Sequence, residues 1–265
     1  MEKIKQALQR ARDEQTAAPP RAASTAAGGL DGAQISYSST RVTPIATDVL
    51  RRNRILMGDA SDPATTAYKI LRTQVEQRLV AQQWNAIAVT SPGAGQGKTL
   101  TAVNLAVALA REVHRTVLLV DLDLRRPSVH SVFGLAVEKG LVDFLLDDVP
   151  LSSILVNPGI ERLVLLPAGR AVADSSELLA SPKMARLVEE LKSRYPSRII
   201  VFDLPPLLSA DDALAFSPYV DTTLMVVEDG RTTRDELTRA VEMLGSVHLM
   251  GTVLNKSSEI QDTYG

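Results

Sequence analysis

An α/β fold with a mostly parallel sheet and helices on both faces is predicted by three features of the sequence. Short apolar, β-branched runs recur near residues 86–91, 116–121, 162–167, 198–203, 222–228 and 250–255. Stretches of helical period separate them, near 98–112, 141–155, 176–195, 210–217 and 232–246. The strand runs are continuously apolar rather than alternating, as a sheet buried on both faces requires.

The elements before the first strand differ in character. Residues 1–15, "MEKIKQALQRARDEQ", place Ile4, Ala7, Leu8 and Ala11 at helical spacing and predict a short amphipathic helix. A solvated helix and a docking helix for a partner or membrane surface both fit that pattern. Residues 16–60 are read as a flexible linker. Their first half is rich in Ala, Pro, Gly and Ser and buries too little to offset ordering entropy. Arg51, Arg52 and Arg54 form a local positive cluster within it. From Asp62 the pattern turns helical, with Ala67, Ile70, Leu71, Val75 and Leu79 on one face. Asp62 suits the N-cap and Pro63 the first helical position. A domain over 61–257 and a flexible tail over 258–265 complete the expected organisation.

Composition removes several classes of function. The chain has 265 residues and no cysteine, which excludes disulfides and thiolate metal sites within it. Its net charge of −2 gives no global basic footprint, so no nucleic-acid partner is expected. No apolar run reaches the about 18 residues of a membrane span, and the N-terminus lacks the apolar core of a signal peptide. A soluble cytoplasmic location is the expectation.

The stretch "AIAVTSPGAGQGKTLTAVNLAVALA" carries the chemistry. A strand runs into Gly93, Ala94, Gly95, Gln96 and Gly97, then Lys98, Thr99 and Leu100 open a helix. Bare backbone N–H groups at a helix N-terminus make an anion site, and glycine allows close approach and positive φ. In this P-loop reading Lys98 reaches the β and γ phosphates of a nucleotide, and Thr99 ligates Mg²⁺. The strict G-x-x-x-x-G-K-[ST] pattern wants glycine at 92, where this chain has Pro92.

Two more strands deliver acids. "TVLLVDLDLRR" ends a strand at Asp121 and continues through Asp123 to Arg125; "RIIVFDLPP" ends another at Asp203. In a doubly wound sheet, strand C-termini line one edge beside the phosphate loop. Asp203 is suited to hold the Mg²⁺ water shell, Asp123 to organise the metal, and Asp121 to accept the proton of an attacking hydroxyl. Arg125 fits either phosphate neutralisation or an ion pair, with another subunit or at the surface.

These motifs resemble those of the bacterial tyrosine kinases that control capsule and exopolysaccharide synthesis, and the "LRRNRI" and "DPATTAYKILRTQ" approach with the short N-terminal helix resembles their exosortase-associated branch. The matching elements are Gly97-Lys98-Thr99, the D-x-D-x-R run from Asp121 to Arg125, and the D-x-P-P run from Asp203 to Pro206. The resemblance covers about residues 62–257. It implies a P-loop NTPase fold, ATP and Mg²⁺ as cofactors, and tyrosine autophosphorylation. It further implies Asn255 near the adenine, homo-oligomers, and a membrane chain-length regulator as activating partner. Through that partner the chain would sit at the inner face of the membrane.

Two departures stand out. The family's E-x-x-R-x-x-R ring motif is matched by Thr66, Lys69 and Arg72, so only the last residue is kept. The tyrosine-rich tail of the family is reduced here to Tyr264, the expected phosphate acceptor. The alternatives are a nucleotide-gated scaffold without kinase activity and a membrane-positioning ATPase. The latter carries a lysine where this chain has Gly93.

Overall fold

The computed structural model describes residues 40–58, 61–112, 115–195, 197–245 and 247–257. The chain divides into Met1–Gln34 and Ile35–Gly265, and every described residue lies in the second unit. The helix expected over 1–15, the linker up to residue 39 and the tail over 258–265 lie outside the described residues.

Among the described residues eight strands are formed: β1 (Arg41–Val42), β2 (Ala86–Thr90), β3 (Thr116–Asp121), β4 (Val156–Asn157), β5 (Leu163–Leu166), β6 (Arg198–Asp203), β7 (Thr222–Glu228) and β8 (Leu249–Asn255). The helices are α1 (Thr47–Arg52), α2 (Pro63–Gln82), α3 (Lys98–Ala110), α4 (Val129–Val132), α5 (Leu141–Asp147), α6 (Leu151–Ile154), α7 (Ser175–Leu179), α8 (Pro182–Arg194), α9 (Asp212–Phe216) and α10 (Arg234–Leu244).

One sheet holds all the strands in the order β1-β4-β5-β3-β6-β2-β7-β8. The pairs from β5 through β8 are parallel, as is β1 with β4, and this edge pair runs against the others through the antiparallel β4–β5 pairing. Successive side chains along a strand alternate sides, so each strand feeds two cores. Ala88, Leu118, Val120, Ile200, Phe202 and Met225 pack on one side with α5, α8 and α10. Ile87, Val89, Leu119, Ile199, Val201 and Leu224 pack on the other with α2 and α3. Each fully buried Leu, Ile or Phe here contributes about 1.5–3 kcal/mol. This two-sided burial explains why the strands read as unbroken apolar runs.

The six strands expected from sequence are all present. Asp62 caps α2 as expected, its carboxylate accepting from Ala64 N at 2.9 Å, with Pro63 in the first turn. The buried stripe of α2 is narrower than its sequence suggests. Val75 and Leu79 are buried and Leu71 half-buried, whereas Ala67 and Ile70 face out. Tyr68 turns inward instead, and burial pushes its phenol pKa up.

Two expected helices are each broken by proline. The stretch 141–155 becomes α5 and α6, with Asp148 in the left-handed region at φ +53° and Pro150 before α6. The stretch 176–195 becomes α7 and α8. Ser181 caps α8 by accepting from Met184 N at 3.2 Å, and Pro182 occupies its first position. Proline lacks the N–H and clashes with the preceding turn, so it opens a helix and cannot continue one.

The linker expected over 16–60 needs a correction for its second half. Residues 41–58 are built into the domain. Strand β1 pairs with β4, and Thr43 N donates to Asn157 O at 2.8 Å. Leu50 and Ile55 are buried among the residues packed on α3. Asn104 on α3 reads the passing backbone twice, accepting from Leu56 N at 2.8 Å and donating to Arg54 O at 3.0 Å. Two apolar anchors and one buried amide suffice here, and a composition argument does not register them. Of the positive cluster, Arg52 forms an exposed ion pair with Asp48 at 3.1 Å.

Candidate active site

Three neighbouring strands, β3, β6 and β2, end at one edge of the sheet. Asp121, the last residue of β3, lies directly across from Asp203, the last of β6. The segment after Asp203 is tied to β2 and to the loop that follows it: Leu204 N donates to Val89 O at 2.9 Å and Leu207 N to Ser91 O at 2.9 Å. The first turn of α3 stands over this edge and brings in Lys98 and Thr99.

The Lys98 ammonium sits 2.9 Å from Asp123 Oδ2 and 3.4 Å from Asp203 Oδ1. Thr99 Oγ1 donates to Asp203 Oδ2 at 2.7 Å and accepts from Ser128 Oγ at 3.3 Å. Asp121 Oδ2 accepts two backbone N–H groups, from Ser128 at 3.0 Å and Val129 at 2.9 Å. Asp123 Oδ1 accepts from Arg126 N at 3.1 Å. The sequence-predicted quartet Lys98, Asp121, Asp123 and Asp203 is therefore one cluster. Asp121 and Asp203 are fully buried, while Asp123 stands at the opening, 7% exposed.

The phosphate loop is shaped by glycine where geometry demands it. Gly95 and Gly97 hold φ of +78° and +94°. A Cβ on Gly97 would also lie 2.0 Å from Asn255 Nδ2. Asn255 donates to Gln96 O at 2.9 Å, so the end of β8 clamps the loop. Lys256 adds a bond from its ammonium to Gly95 O at 2.8 Å and pairs with Glu228 at 3.0 Å. Within the loop, Gly93 N donates to Gln96 Oε1 at 3.2 Å, and Ala94 and Gly95 are exposed at its tip. Leu100 follows in the first turn of α3, half-buried.

Charge in this cluster is unbalanced: three carboxylates share one ammonium. Burial, and then the facing Asp203, push the Asp121 carboxyl up to about 7 against the N–H groups of Val129 and Ser128 and the Lys98 charge. Burial likewise raises Asp203, with Lys98 and Thr99 opposing it. Burial alone would lower Lys98, but Asp203 and Asp123 outweigh it and hold the ammonium above its ordinary value.

An excess of anionic oxygen beside a hydroxyl suits a hard cation such as Mg²⁺. Among the described residues no three acidic or histidine side chains could hold a metal by themselves. Mg²⁺ is usually held by one or two carboxylates together with phosphate oxygens and water, so Thr99, Asp123 and Asp203 fit it as partial ligands.

The raised Asp121 has a consequence for stability. Its folded pKa lies above the ordinary carboxylate value of 3.8, so the native state holds more protons than the unfolded chain between about pH 4 and 7. This group therefore contributes stability that is complete below the unfolded value and lost as pH rises through 7. Thermal unfolding of the nucleotide-free protein from pH 4.5 to 8 is expected to show a downward slope that Asp121→Asn flattens. An identical slope in both proteins contradicts the assignment.

Other sequence candidates are placed differently. Arg125 is paired within the chain, Nε lying 3.0 Å from Asp212 Oδ2 and Nη2 3.9 Å from Asp211. Arg72, the retained residue of the ring motif, pairs with Glu112 at 2.8 Å. Tyr264 lies outside the described residues. Sequence reasoning missed Ser128, whose only signal is its place after D-x-D-x-R-R-P, and missed Lys256. A separate cavity of about 790 Å³, lined by Trp84, Arg115 and Arg186 among others, lies at the opposite end of the sheet and contains none of these residues.

The sheet order, the glycine loop capped by Lys-Thr and the acids on adjacent strand tips define a P-loop NTPase fold. A family model described as an AAA domain matches residues 84–248, more than half of the chain. The chain is 32% identical over 208 residues to tyrosine-protein kinase YwqD of Bacillus subtilis, covering 78% of this chain and 86% of that protein. It is 30% identical over 203 residues to tyrosine-protein kinase wzc of Salmonella typhi, covering 76% of this chain but 28% of the relative. The solved kinase domain of Escherichia coli tyrosine kinase ETK superposes with a TM-score of 0.69 at 25% identity, covering 85% of this chain and 93% of that one. The chain belongs to the bacterial tyrosine-protein kinase family.

Proposed function

We propose that this chain is an ATP–Mg²⁺-dependent protein-tyrosine autokinase regulating exopolysaccharide or capsule polymerisation and export. The observation that carries the reading is the joint hold of Asp123 and Asp203 on Lys98, with Thr99 bonded to Asp203. Backbone N–H groups of Gly93–Thr99 and the Lys98 ammonium bind and orient the β and γ phosphates. Asp203, Asp123 and Thr99 would hold Mg²⁺, which when bound would supply positive charge beside the phosphates. Phosphoryl transfer needs chiefly such positioning and charge compensation. The tyrosine oxygen gains the γ-phosphoryl group, ADP leaves, and the phenolic proton passes to a carboxylate. Asp121, on the strand tip directly across from Asp203, is assigned that proton.

Asn255 stands beside the loop and is assigned to the adenine side of the nucleotide. Tyr264 is assigned as phosphate acceptor. Among the described residues no helix is long and apolar enough to cross a membrane. A membrane chain-length regulator is proposed as activator, with the kinase in homo-oligomers at the inner membrane face.

Incubation with Mg-ATP and the membrane partner, followed by mass spectrometry, is expected to find phosphate on Tyr264. A Lys98→Met protein should show none. A second reading is favoured by the single tyrosine in residues 256–265. It makes the chain a nucleotide-gated scaffold that binds or slowly hydrolyses ATP. ATP turnover without phosphotyrosine anywhere would replace the kinase reading by that one.

A further inference from the structure

Asp212 is a fully buried carboxylate outside the quartet. It opens α9, and both of its oxygens are engaged by other elements. Oδ2 accepts from Arg125 Nε at 3.0 Å. Oδ1 accepts from Ser175 Oγ at the start of α7. Arg125 belongs to the loop of residues 122–128, which carries Asp123 to Lys98 and Ser128 to both Asp121 and Thr99. That loop is tied at its base, where Leu122 N donates to Asp203 O at 2.9 Å. Its middle is held by Val172 N, which donates to Leu124 O at 2.9 Å. The side chain that anchors it from outside the site is Arg125.

We infer that Asp212 is a positioning residue for phosphoryl transfer: through Arg125 it fixes the loop that sets Asp123 and Ser128 against Lys98, Asp121 and Thr99. A guanidinium bound through Nε to a fixed carboxylate cannot slide along its stem, and a charge-assisted bond is about twice as strong as a neutral one. The carboxylate itself is fixed by its full burial in the first turn of α9; Ser175 bonds the other oxygen and adds stability rather than holding the face turned to Arg125. Asp211 adds little, since it is exposed and 3.9 Å away. The chain thereby ties three elements, α7, α9 and the D-x-D-x-R loop, to the catalytic acids without Asp212 touching nucleotide. This inference rests on the kinase reading for its kinetic arm only.

The test uses the full-length chain and two readouts. Asp212→Asn keeps the side-chain shape but removes the charge that holds Arg125. Its kcat for phosphoryl transfer is expected to fall about 10- to 100-fold, as misplacement of a positioned group does, with KM for ATP nearly unchanged. Ser175→Ala removes the other bond to Asp212 and leaves the Arg125 pair. It is expected to lower Tm while kcat per folded molecule stays near wild type. A purely structural Asp212 would make the two variants alike, and that result overturns the inference. Amide hydrogen exchange at Arg126 and Ser128 supplies the arm independent of activity. It is expected to quicken in Asp212→Asn and not in Ser175→Ala. Faster exchange in a chain whose wild type transfers no phosphate upholds the positioning role and removes the kinase reading. Unchanged exchange in Asp212→Asn overturns the positioning role even where the wild type is an active kinase.

Discussion

Lys98→Met is expected to lower phosphoryl transfer about 100- to 1000-fold, the usual cost of removing one preorganised charge aimed at the reacting group. Methionine matches the length of the lysine stem, so the loop keeps its shape while the ammonium is lost. The same change leaves Asp123 and Asp203 without the cation that stands 2.9 and 3.4 Å from them. Breaking such a buried pair costs about 3–5 kcal/mol when the remaining charges stay ionised. Protonation relieves that repulsion, so the loss of Tm is expected to be larger at pH 8 than at pH 5. Assays of transfer and of thermal unfolding at both pH values check the two effects separately. Wild-type turnover in this variant is incompatible with the proposed mechanism.

Gly140→Ala is expected to destabilise the domain by about 3 kcal/mol, at the upper end of overpacking changes. Its backbone crosses that of the loop after β5. A Cβ there would lie 2.3 Å from Gly169 N, 2.4 Å from Ala168 C and 2.5 Å from Pro167 O. All three are backbone atoms and none can swing away as a side chain does. The crossing is also bonded: Leu141 N donates to Pro167 O at 2.8 Å and Val142 N to Ala168 O at 3.0 Å. Separating the two segments to admit a methyl group breaks both bonds and unseats α5 from the core. Denaturant unfolding measures the loss, and a midpoint within error of the wild type contradicts this account of the crossing.

The central sheet was legible because two-sided burial leaves a plain mark. Runs such as "TVLLVD" and "RIIVFD" have apolar residues on both faces and stop at an acid. The phosphate loop was legible because three glycines in five positions suit neither helix nor strand. What escaped depends on single contacts between distant residues. Nothing near Asn104 tells that its amide will hold residues 54 and 56. Nothing in "VEKGLVDF" tells that Gly140 meets Gly169. Gly97 is needed twice over, for its φ and for the space taken by Asn255, and only the first need can be read from its neighbours. Asp212 looks like a helix-capping acid in "SADDALAF", since its partners Arg125 and Ser175 are far away in sequence. Pro150 and Pro182 were visible and divide their helices as proline chemistry requires, but a periodicity count runs through them.

In the proposed mechanism the strand tips carrying Asp121 and Asp203, with Lys98 and Thr99 above them, seat a nucleotide's terminal phosphates and its cation. Isothermal calorimetry of the full-length chain with ATP, with and without Mg²⁺, probes that most directly. Saturable binding that strengthens with Mg²⁺ and vanishes in Lys98→Met is the expected result. Absence of heat with Mg-ATP, or binding indifferent to both the cation and Lys98, contradicts it.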